Sequence, residues 1–453
     1  MSVPAAPAAL RRRLTRWDLI VYGLLFIGPL APVGVYGVLD ARTNGAVALV
    51  YVAATIAMAF TAWSYAEMSR VVPHAGSVFA YASRGIAPTA GFFAGWLAML
   101  DYVLIPSVAY LFSGIALHAL VPAVPAWVFT VVAFIATTAL NLAGVQVAAR
   151  AGFVVLVAEL VVLAVFLVAG AVVLVSSGGA RPWLSPFTSL ASPDPSLVMN
   201  AVSVAVLSYL GFDAIASFAE ENEGDARHVG QAIGLCLAVA GVAFVAQTWM
   251  VAVLSPVAPA DLASAPARQG TAFYEVTRVA IGGWLATVLA VTKAIGPMFA
   301  AMIGQAAAAR LLYGMAREGR LPGQLAEVDG ARGVPRTALM VTAAITLAVS
   351  VWAARRVDGL GVLVSIVDVG ALAAFLLLQV SVVGYFVRKR LGPATPLHTI
   401  VPVCGAAVIL WVLVEASVFA QQVAGVWLMA GVVVWLANRR RPRPGDIAEV
   451  SAP

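Results

Sequence analysis

Twelve runs of mostly apolar residues follow one another along this chain of 453 residues. A helix needs roughly 20 apolar residues to cross the hydrocarbon core of a bilayer. Because lipid offers no partner to backbone polar groups, each run predicts a helix. The expected limits of these spans are 17–39, 45–66, 90–119, 126–147, 151–176, 198–219, 229–254, 281–312, 336–354, 360–387, 399–419 and 422–437. The sequence therefore predicts an all-α polytopic membrane protein with 12 transmembrane helices.

Composition supports this fold class and excludes others. Hydrophobic residues make up 62% of the chain, charged residues make up 11%, and the mean hydropathy is +0.96. A soluble protein of this size cannot bury so much apolar surface. Soluble, disordered and disulfide-stabilised folds are thereby excluded, and the lipid bilayer is the expected surroundings of the chain.

The distribution of basic residues predicts the orientation of the chain. Of its 27 Lys and Arg residues, 20 fall on the side that holds both termini, 6 fall on the other side, and Lys293 lies inside a span. The positive-inside rule then places both termini in the cytoplasm and the chain in the inner membrane. The net charge of +6 has the same explanation, so no nucleic-acid partner is expected.

Three classes of function suit a polytopic membrane protein of this kind, namely a secondary transporter, a channel and an intramembrane enzyme. The chain has no phosphate-binding loop that would let ATP drive it, and no metalloprotease or serine-hydrolase motif. Its four histidines are scattered without the spacing of metal ligands, so no metal or cofactor is expected. No span carries the continuous polar stripe of a pore. A transporter that is not an enzyme is the favoured class.

Two of the spans are predicted to be broken. Span 1 contains two glycines and two prolines within residues 28–34, and such a segment cannot continue an α-helix. Span 6 carries Gly211 near its middle, within residues 208–214. Breaks in the first helix of two successive five-helix halves indicate an inverted-repeat transporter. The alternative for Gly211 is that it only lets two helices pack closely.

Several motifs resemble those of the amino acid–polyamine–organocation (APC) superfamily of permeases. They are YAEMSRVVPHAGS at 65–77, GFFAGW at 91–96, LDY at 100–102, NLAGV at 141–145, GFDA at 211–214 and ARLLYGMAREGRLP at 309–322. The resemblance implies a five-plus-five inverted repeat with discontinuous helices 1 and 6, plus two extra C-terminal helices. It divides the chain into a cytoplasmic tail at 1–16, a transporter core at 17–390, helices 11 and 12 at 391–437, and a second tail at 438–453.

The resemblance also implies where the substrate binds, because superfamily members hold it between the broken parts of spans 1 and 6. The residues that occupy these parts here are Ala31, Pro32, Val33, Gly34, Ser208, Gly211, Phe212 and Asp213. Many members have glycine at the position of Pro32, and proline has no N–H to donate to a carboxylate. We therefore expect a preference for amines over α-amino acids. The break at 28–32 and Glu159 further resemble putrescine importers of the superfamily. The rival interpretation is an amino-acid permease or exchanger.

Five ionisable residues fall well away from the ends of their spans, where charge is costly and marks functional candidates. Asp213 is expected to bind a substrate amine or a proton, or else to cap the second half of span 6. Asp101 faces either the site or a neighbouring helix. Glu159 is either the proton carrier or a structural hydrogen-bonding group. Lys293 and Asp368 have similar predicted depths, so they form either an outer-gate ion pair or separate contacts, with Lys293 touching the substrate.

The coupling ion is predicted to be a proton. Several proton-coupled members of the superfamily have lysine in the part of span 5 where Glu159 stands, near the sodium site of sodium-coupled relatives. Residues 296–305 of span 8 contain no Ser or Thr that would suit sodium. Tyr110 and Phe212 are candidates for an aromatic wall around an ammonium group, or simply for packing. The acidic residues at 220–225 are expected to be mostly solvated surface.

Overall fold

A computed structural model describes residues 14–143, 145–190, 195–329, 333–356, 359–415 and 418–438. Most of the two expected tails, 1–13 and 439–453, lies outside these ranges. Within them the chain is helical, and its β-structure amounts to two isolated bridges, Leu14 with Asn222 and Asp329 with Val334.

The spans are numbered 1 to 12 in chain order. Their bounds are Arg16–Ile27 with Tyr36–Arg42 for span 1, Val47–Val71, Pro88–Leu120, Ala126–Ala143, Val145–Ser177, Pro195–Val206 with Phe212–Glu221 for span 6, Arg227–Leu254, Gly283–Arg317, Arg336–Ala354, Gly359–Val382 continued by Val383–Arg388, Leu397–Glu415 and Val418–Asn438. Among the described residues, 11 helical segments are long and apolar enough to cross a membrane, and Gln421–Ala437 is a shorter apolar helix. The all-α polytopic fold is thus confirmed.

Span 1 is interrupted where the prolines stand. Its first half begins at Thr15, whose Oγ1 accepts from the Asp18 amide at 3.3 Å, and ends at Gly28, which has a φ of 72°. A 3₁₀ turn, Ala31–Gly34, leads into the second half. Since proline cannot donate the helical hydrogen bond, the chain resumes its α-helix only at Tyr36.

Span 6 is interrupted at Gly211. The α-helix Pro195–Val206 gives way to a short 3₁₀ turn, and Gly211 has a φ of 120°, which side-chain-bearing residues rarely adopt. A Cβ placed on Gly211 would also lie only 2.8 Å from Phe26 Cγ in span 1. Both interpretations of this glycine therefore hold, because it breaks the helix and lets the two broken spans touch.

The spans pack in pairs that match corresponding helices of the two halves of an inverted repeat. Span 1 packs on span 6, span 2 on span 7, span 3 on span 8 and span 4 on span 9. Spans 11 and 12 lie outside this pairing and pack on span 10, span 11 also on span 2 and span 12 also on span 3. Trp96 of span 3 and Trp427 of span 12 stack at 4.6 Å, and each indole N–H donates to the other residue's carbonyl oxygen.

Short helices cover the two ends of the bundle. We call the end where the chain enters at Leu14 the N/C end, because an even number of spans returns the chain there, and we call the opposite end the far end. Helix Val78–Gly85 lies at the N/C end and packs against spans 3 and 10. The loop between spans 7 and 8 folds at the far end into the helices Pro259–Ser264, Pro266–Gln269 and Ala272–Ala280.

Candidate functional site

A cavity lies between the two broken spans and spans 3, 5 and 8. It encloses about 670 Å³, measured to include its opening. Most of its lining is apolar, as expected for a small-molecule site. The lining residues are Phe26, Ile27, Gly28, Ala31, Gly34, Val35, Ile105, Val108, Ala109, Phe112, Glu159, Leu207, Ser208, Leu210, Lys293, Gly296, Pro297 and Ala300.

Two charged side chains, Glu159 and Lys293, belong to this lining. Glu159 is 2% exposed, and its Oε2 atom has no hydrogen-bond partner. Its Oε1 atom lies against Gly296 of span 8, where a Cβ would overlap it. Lys293 extends toward the break of span 1, since a Cβ on Gly34 would lie 4.0 Å from Lys293 Cε. The cavity therefore offers one carboxyl group and one amino group to a ligand.

Neighbouring spans hold the backbone of the breaks in place. Gln247 of span 7 donates to the Pro29 carbonyl at 2.9 Å. In span 6, the Ser208 hydroxyl lies 3.0 Å from the Tyr51 hydroxyl of span 2. The amide of Ala31 donates to Gly28 inside the turn. The bonds to the Pro29 and Gly28 carbonyls satisfy backbone groups that lipid could not satisfy, and the Ser208–Tyr51 bond joins side chains of spans 6 and 2.

The predicted substrate residues divide into two groups. Ala31, Gly34 and Ser208 line the cavity. Pro32 and Val33 lie in the same 3₁₀ turn as Ala31 and Gly34 but not in the lining. The remaining four, Tyr110, Gly211, Phe212 and Asp213, are also outside the lining.

The two predicted aromatic residues pack inside the bundle. The Tyr110 hydroxyl lies 2.6 Å from Thr137 Oγ1 of span 4. The ring of Phe212 packs against Tyr65 and Phe375. This arrangement matches the packing alternative.

The aromatic rings in the cavity are instead Phe26 and Phe112, which sequence reasoning missed. For Phe26 a signal was available, since it stands two residues before Gly28, where the first helix ends.

The acidic residues of spans 3 and 6 are buried beside the cavity. Asp213 is 1% exposed and accepts hydrogen bonds from the Tyr102 hydroxyl at 2.7 Å and from the Gly211 amide at 3.2 Å. The second of these bonds is the capping role that sequence reasoning left open. Asp101 is 2% exposed, and its Oδ1 atom has no partner.

The expected ion pair between Lys293 and Asp368 is not formed. Lys293 faces the cavity with Glu159, whereas Asp368 lines a separate vestibule, and its buried Oδ1 atom has no hydrogen-bond partner. The rise per residue gives the depth of each side chain in its helix, but the direction in which each one points depends on how spans 8 and 10 rotate against their neighbours.

The vestibule lies at the far end and adjoins the cavity. It encloses about 1420 Å³. Besides Asp368 it contains Arg42, Asn200 and Glu415 as polar lining residues, among others. The residues that line both the vestibule and the cavity are Gly34, Val35, Phe112 and Leu207. They form a neck between the two spaces.

At the N/C end, ion pairs tie span 6 to span 8. Of the acidic residues expected to be mostly solvated, Glu223 and Asp225 are exposed, whereas Glu220 and Glu221 form these pairs. Glu221 is 1% exposed and pairs with Arg310, whose guanidinium also lies 4.2 Å from the centre of the Phe218 ring. Glu220 pairs with Arg317. The basic partners stand about 90 residues further along the chain, so a local reading of the acidic run misses them.

Backbone contacts strengthen the same closure. The Leu14 amide donates to the Glu221 carbonyl at 2.9 Å, and the Glu223 amide donates to the Leu14 carbonyl at 3.0 Å. Glu220 also accepts from the Ala75 amide at 3.0 Å. Spans 1, 6 and 8 and the loop after span 2 thus meet at the N/C end, and the wide vestibule lies at the other end.

Broken helices around a central cavity define the class of protein as a membrane transporter built on an inverted repeat. Comparison with known families specifies the class further. The model of the amino acid permease family matches residues 19–437. The chain belongs to this family, which is part of the APC superfamily, and is therefore a multi-pass membrane permease and not an enzyme.

Individual relatives transport different compounds. The low-affinity putrescine importer PlaP of Escherichia coli (strain K12) is 29% identical over 442 residues, which cover 94% of this chain and 93% of the importer. The methylthioribose transporter of Bacillus subtilis (strain 168) is 25% identical, covering 97% and 96%. The branched-chain amino acid permease BcaP of Lactococcus lactis subsp. cremoris (strain MG1363) is 25% identical, covering 87% of both chains.

Proposed function

We propose that this permease imports a small amine, such as putrescine, or an amino acid together with a proton. The observation that carries the proposal is the mainly apolar cavity between the two breaks, into which Glu159 and Lys293 project. A carboxylate in an apolar cavity attracts an ammonium group more strongly than it would in water. Two of the three relatives, the putrescine importer and the branched-chain amino acid permease, have names that agree with this substrate class.

An amine substrate is favoured by the backbone of span 1. Pro29 and Pro32 have no N–H, and the amides of Ala31 and Val33 already donate within the turn. Few donors are therefore left for a substrate carboxylate. The unpartnered Oε2 of Glu159 is the acceptor that we assign to the substrate ammonium.

Lys293 favours the second candidate, an amino-acid permease or exchanger. Its ammonium group would repel a dication and attract a carboxylate in the same cavity. A substrate that carries both charges, with its ammonium at Glu159 and its carboxylate at Lys293, satisfies both side chains.

The closed N/C end and the vestibule at the far end support alternating access. We place both termini in the cytoplasm and the chain in the inner membrane, as the basic residues predict. The vestibule then faces outward, and the ion pairs of Glu220 and Glu221 close the cytoplasmic side. Release of the substrate requires these pairs to separate as spans 1 and 6 rock against the other spans.

Transport by the purified protein in liposomes tests the proposal. Labelled putrescine, lysine and leucine are supplied with and without an inward proton gradient. We expect uptake of at least one of them to rise several-fold with the gradient and to be independent of sodium. Strong uptake of leucine with background uptake of putrescine would select the amino-acid candidate, and sodium dependence would exclude the proton.

Two substitutions separate the candidates. Lys293→Met should increase the ratio of putrescine to leucine uptake if Lys293 holds a carboxylate. Pro32→Gly restores an amide N–H in the break and should shift the ratio the other way. An unchanged ratio in Pro32→Gly contradicts the donor argument. Gly234→Ala is the matched control, because a Cβ there meets no atom within 4 Å.

A further inference from the structure

Three acidic side chains lie between spans 3, 6 and 10, next to the cavity but outside its lining. They are Asp101, Asp213 and Asp368, which we call the carboxylate cluster. Tyr102, which follows Asp101 in the chain, donates to Asp213, and Gly370 of span 10, two residues after Asp368, lies against the Asp101 backbone. Both Asp213 and Asp368 are electrostatic neighbours of Asp101. Negative charges buried together without a cation repel each other strongly.

The three carboxylates differ in their hydrogen bonds. Both oxygens of Asp213 accept, one from Tyr102 and one from the Gly211 amide. By contrast, the Oδ1 atoms of Asp101 and Asp368 are buried and have no donor. A buried acceptor without a partner is costly, so each of these two atoms is a candidate to bind a proton or another small ligand.

The space around Asp101 restricts the size of that ligand. Span 10 runs directly against span 3 there, since a Cβ on Gly370 would lie 3.2 Å from the Leu97 carbonyl and 3.3 Å from the Asp101 amide. Asp101 and Asp213 line neither the cavity nor the vestibule. Within the described residues, no group of three or more acidic, His or Cys side chains is placed to hold a metal ion.

We propose that Asp101 and Asp368 are the binding site of the coupled proton, which leaves Glu159 for the substrate. The proposal rests on the proposed function, because it presupposes proton coupling. A proton from water in the vestibule adds to a carboxylate oxygen of Asp368, which lines that space. It passes to Asp101, and the carboxylate is regenerated when the proton leaves to cytoplasmic water after the N/C end opens.

The cluster connects the proton to the break of span 6. Tyr102 follows Asp101 and donates to Asp213, whose other oxygen accepts from Gly211 at the break. Without the proton, Asp101 and Asp213 repel each other across spans 3 and 6. When Asp101 carries the proton, span 6 can pack against span 3 without this repulsion. The movement of the broken spans therefore depends on the protonation of Asp101.

The other titratable groups that face Asp101 and Asp213 are phenols, whereas Asp368 shares the lining of the vestibule with Arg42 and Glu415. Tyr65 of span 2 is an electrostatic neighbour of Asp213, Asp101 and Tyr81. Tyr81, in the helix Val78–Gly85, is buried, and its hydroxyl has no partner. A phenol does not compete for the proton at neutral pH. Among these groups, the aspartates are therefore the ones that we assign as proton acceptors.

Proteoliposomes provide the test. Wild type, Asp101→Asn and Asp368→Asn are compared with Asp261→Asn, which changes an exposed aspartate in the far-end helix Pro259–Ser264. Labelled putrescine and leucine are the probes, and a trapped pH dye reports proton entry.

In the two cluster variants, Asp101→Asn and Asp368→Asn, we expect exchange of substrate across the membrane within two-fold of wild type. Proton entry and gradient-driven accumulation should fall at least ten-fold. Asp261→Asn should match wild type, and Asp101→Glu should restore coupling.

Two transport results overturn the assignment of the proton site while leaving proton-coupled import by this permease intact. One is wild-type proton entry in Asp101→Asn and Asp368→Asn. The other is loss of proton entry with normal exchange in Glu159→Gln. If wild type carries substrate without protons, proton coupling fails as part of the proposed function, and the assignment fails with it.

Infrared spectroscopy of the purified protein tests the site without any substrate. A buried protonated carboxyl group gives a C=O stretching band that a carboxylate lacks. We expect this band to titrate with pH in wild type and in Asp261→Asn, and to decrease in Asp101→Asn. An unchanged band in a well-folded, monodisperse Asp101→Asn protein overturns the proposal.

Discussion

Both ends of the bundle have a buried ion pair, but the two pairs join different parts of the chain. At the N/C end, Glu221 of span 6 pairs with Arg310 of span 8, so the pair joins a broken span to a continuous one. At the far end, Asp40 of span 1 pairs with Arg181, which follows span 5, and both Arg181 Nη atoms donate to Asp40 at 2.8 Å. The first pair has to separate if span 6 rocks away from span 8. The second stabilises span 1 against its neighbours without closing the vestibule.

The largest effect is expected from Glu221→Gln. Arg310 would keep its charge in a site where it is 3% exposed, and breaking a buried pair costs about 3–5 kcal/mol. The free energy of unfolding, measured by denaturant titration in mixed micelles, should fall by that amount. A cysteine at Ala300 in the cavity should also become easier to label from the side of the N/C end. Unchanged labelling would show that the pair does not close the cavity.

Asp40→Asn should cost less, about 3 kcal/mol, because a buried arginine again loses its carboxylate. Arg181 retains a hydrogen bond to the Ser255 hydroxyl at 3.2 Å, which softens the loss. The same denaturant titration measures it. Labelling at Ala300 from the side of the N/C end should stay at the wild-type level. Increased labelling would mean that the far-end pair also controls the closed end.

Arg317→Gln tests the half-exposed pair at the N/C end. Arg317 is 38% exposed and its partner Glu220 is 15% exposed, so solvent screens the interaction. Glu220 also keeps the Ala75 amide as a donor. We expect a loss of up to about 1 kcal/mol in the same titration. A loss as large as that of Glu221→Gln would contradict the ranking of the two pairs by burial.

Glu275→Gln at the far end should have the smallest effect. The pKa of the Glu275 carboxyl is lowered because the Thr271 hydroxyl and the Arg268 guanidinium donate to it. A lowered pKa means that any stabilisation is present above the usual pKa of glutamate and is lost as the pH falls through the lowered value. Because the pair is exposed, thermal unfolding of the variant and the wild type should coincide from pH 4 to pH 8. A difference that grows as the pH rises to about 4.3 and stays constant above it would show a stronger pair.

The fold could be predicted from the sequence because lipid makes hydropathy and helix length decisive. The break of span 1 was equally clear, since Pro29 and Pro32 cannot join a helical ladder. The details of the site could not be predicted from the sequence. Lys293 and Asp368 have similar depths but point into different spaces, because the rotation of a helix depends on its neighbours. Glu221 was taken for surface because Arg310, its partner, is remote in sequence.

The paired tryptophans of spans 3 and 12 also have a use in measuring the transport cycle. Trp96 and Trp427 are joined by two hydrogen bonds and by stacked rings, far from both breaks in sequence. Span 12 should therefore keep its position relative to span 3 throughout the cycle. A spectroscopic label near Trp427 would serve as a fixed reference position. Changes in its distance to labels on spans 1 and 6 would then report the displacement of those spans alone.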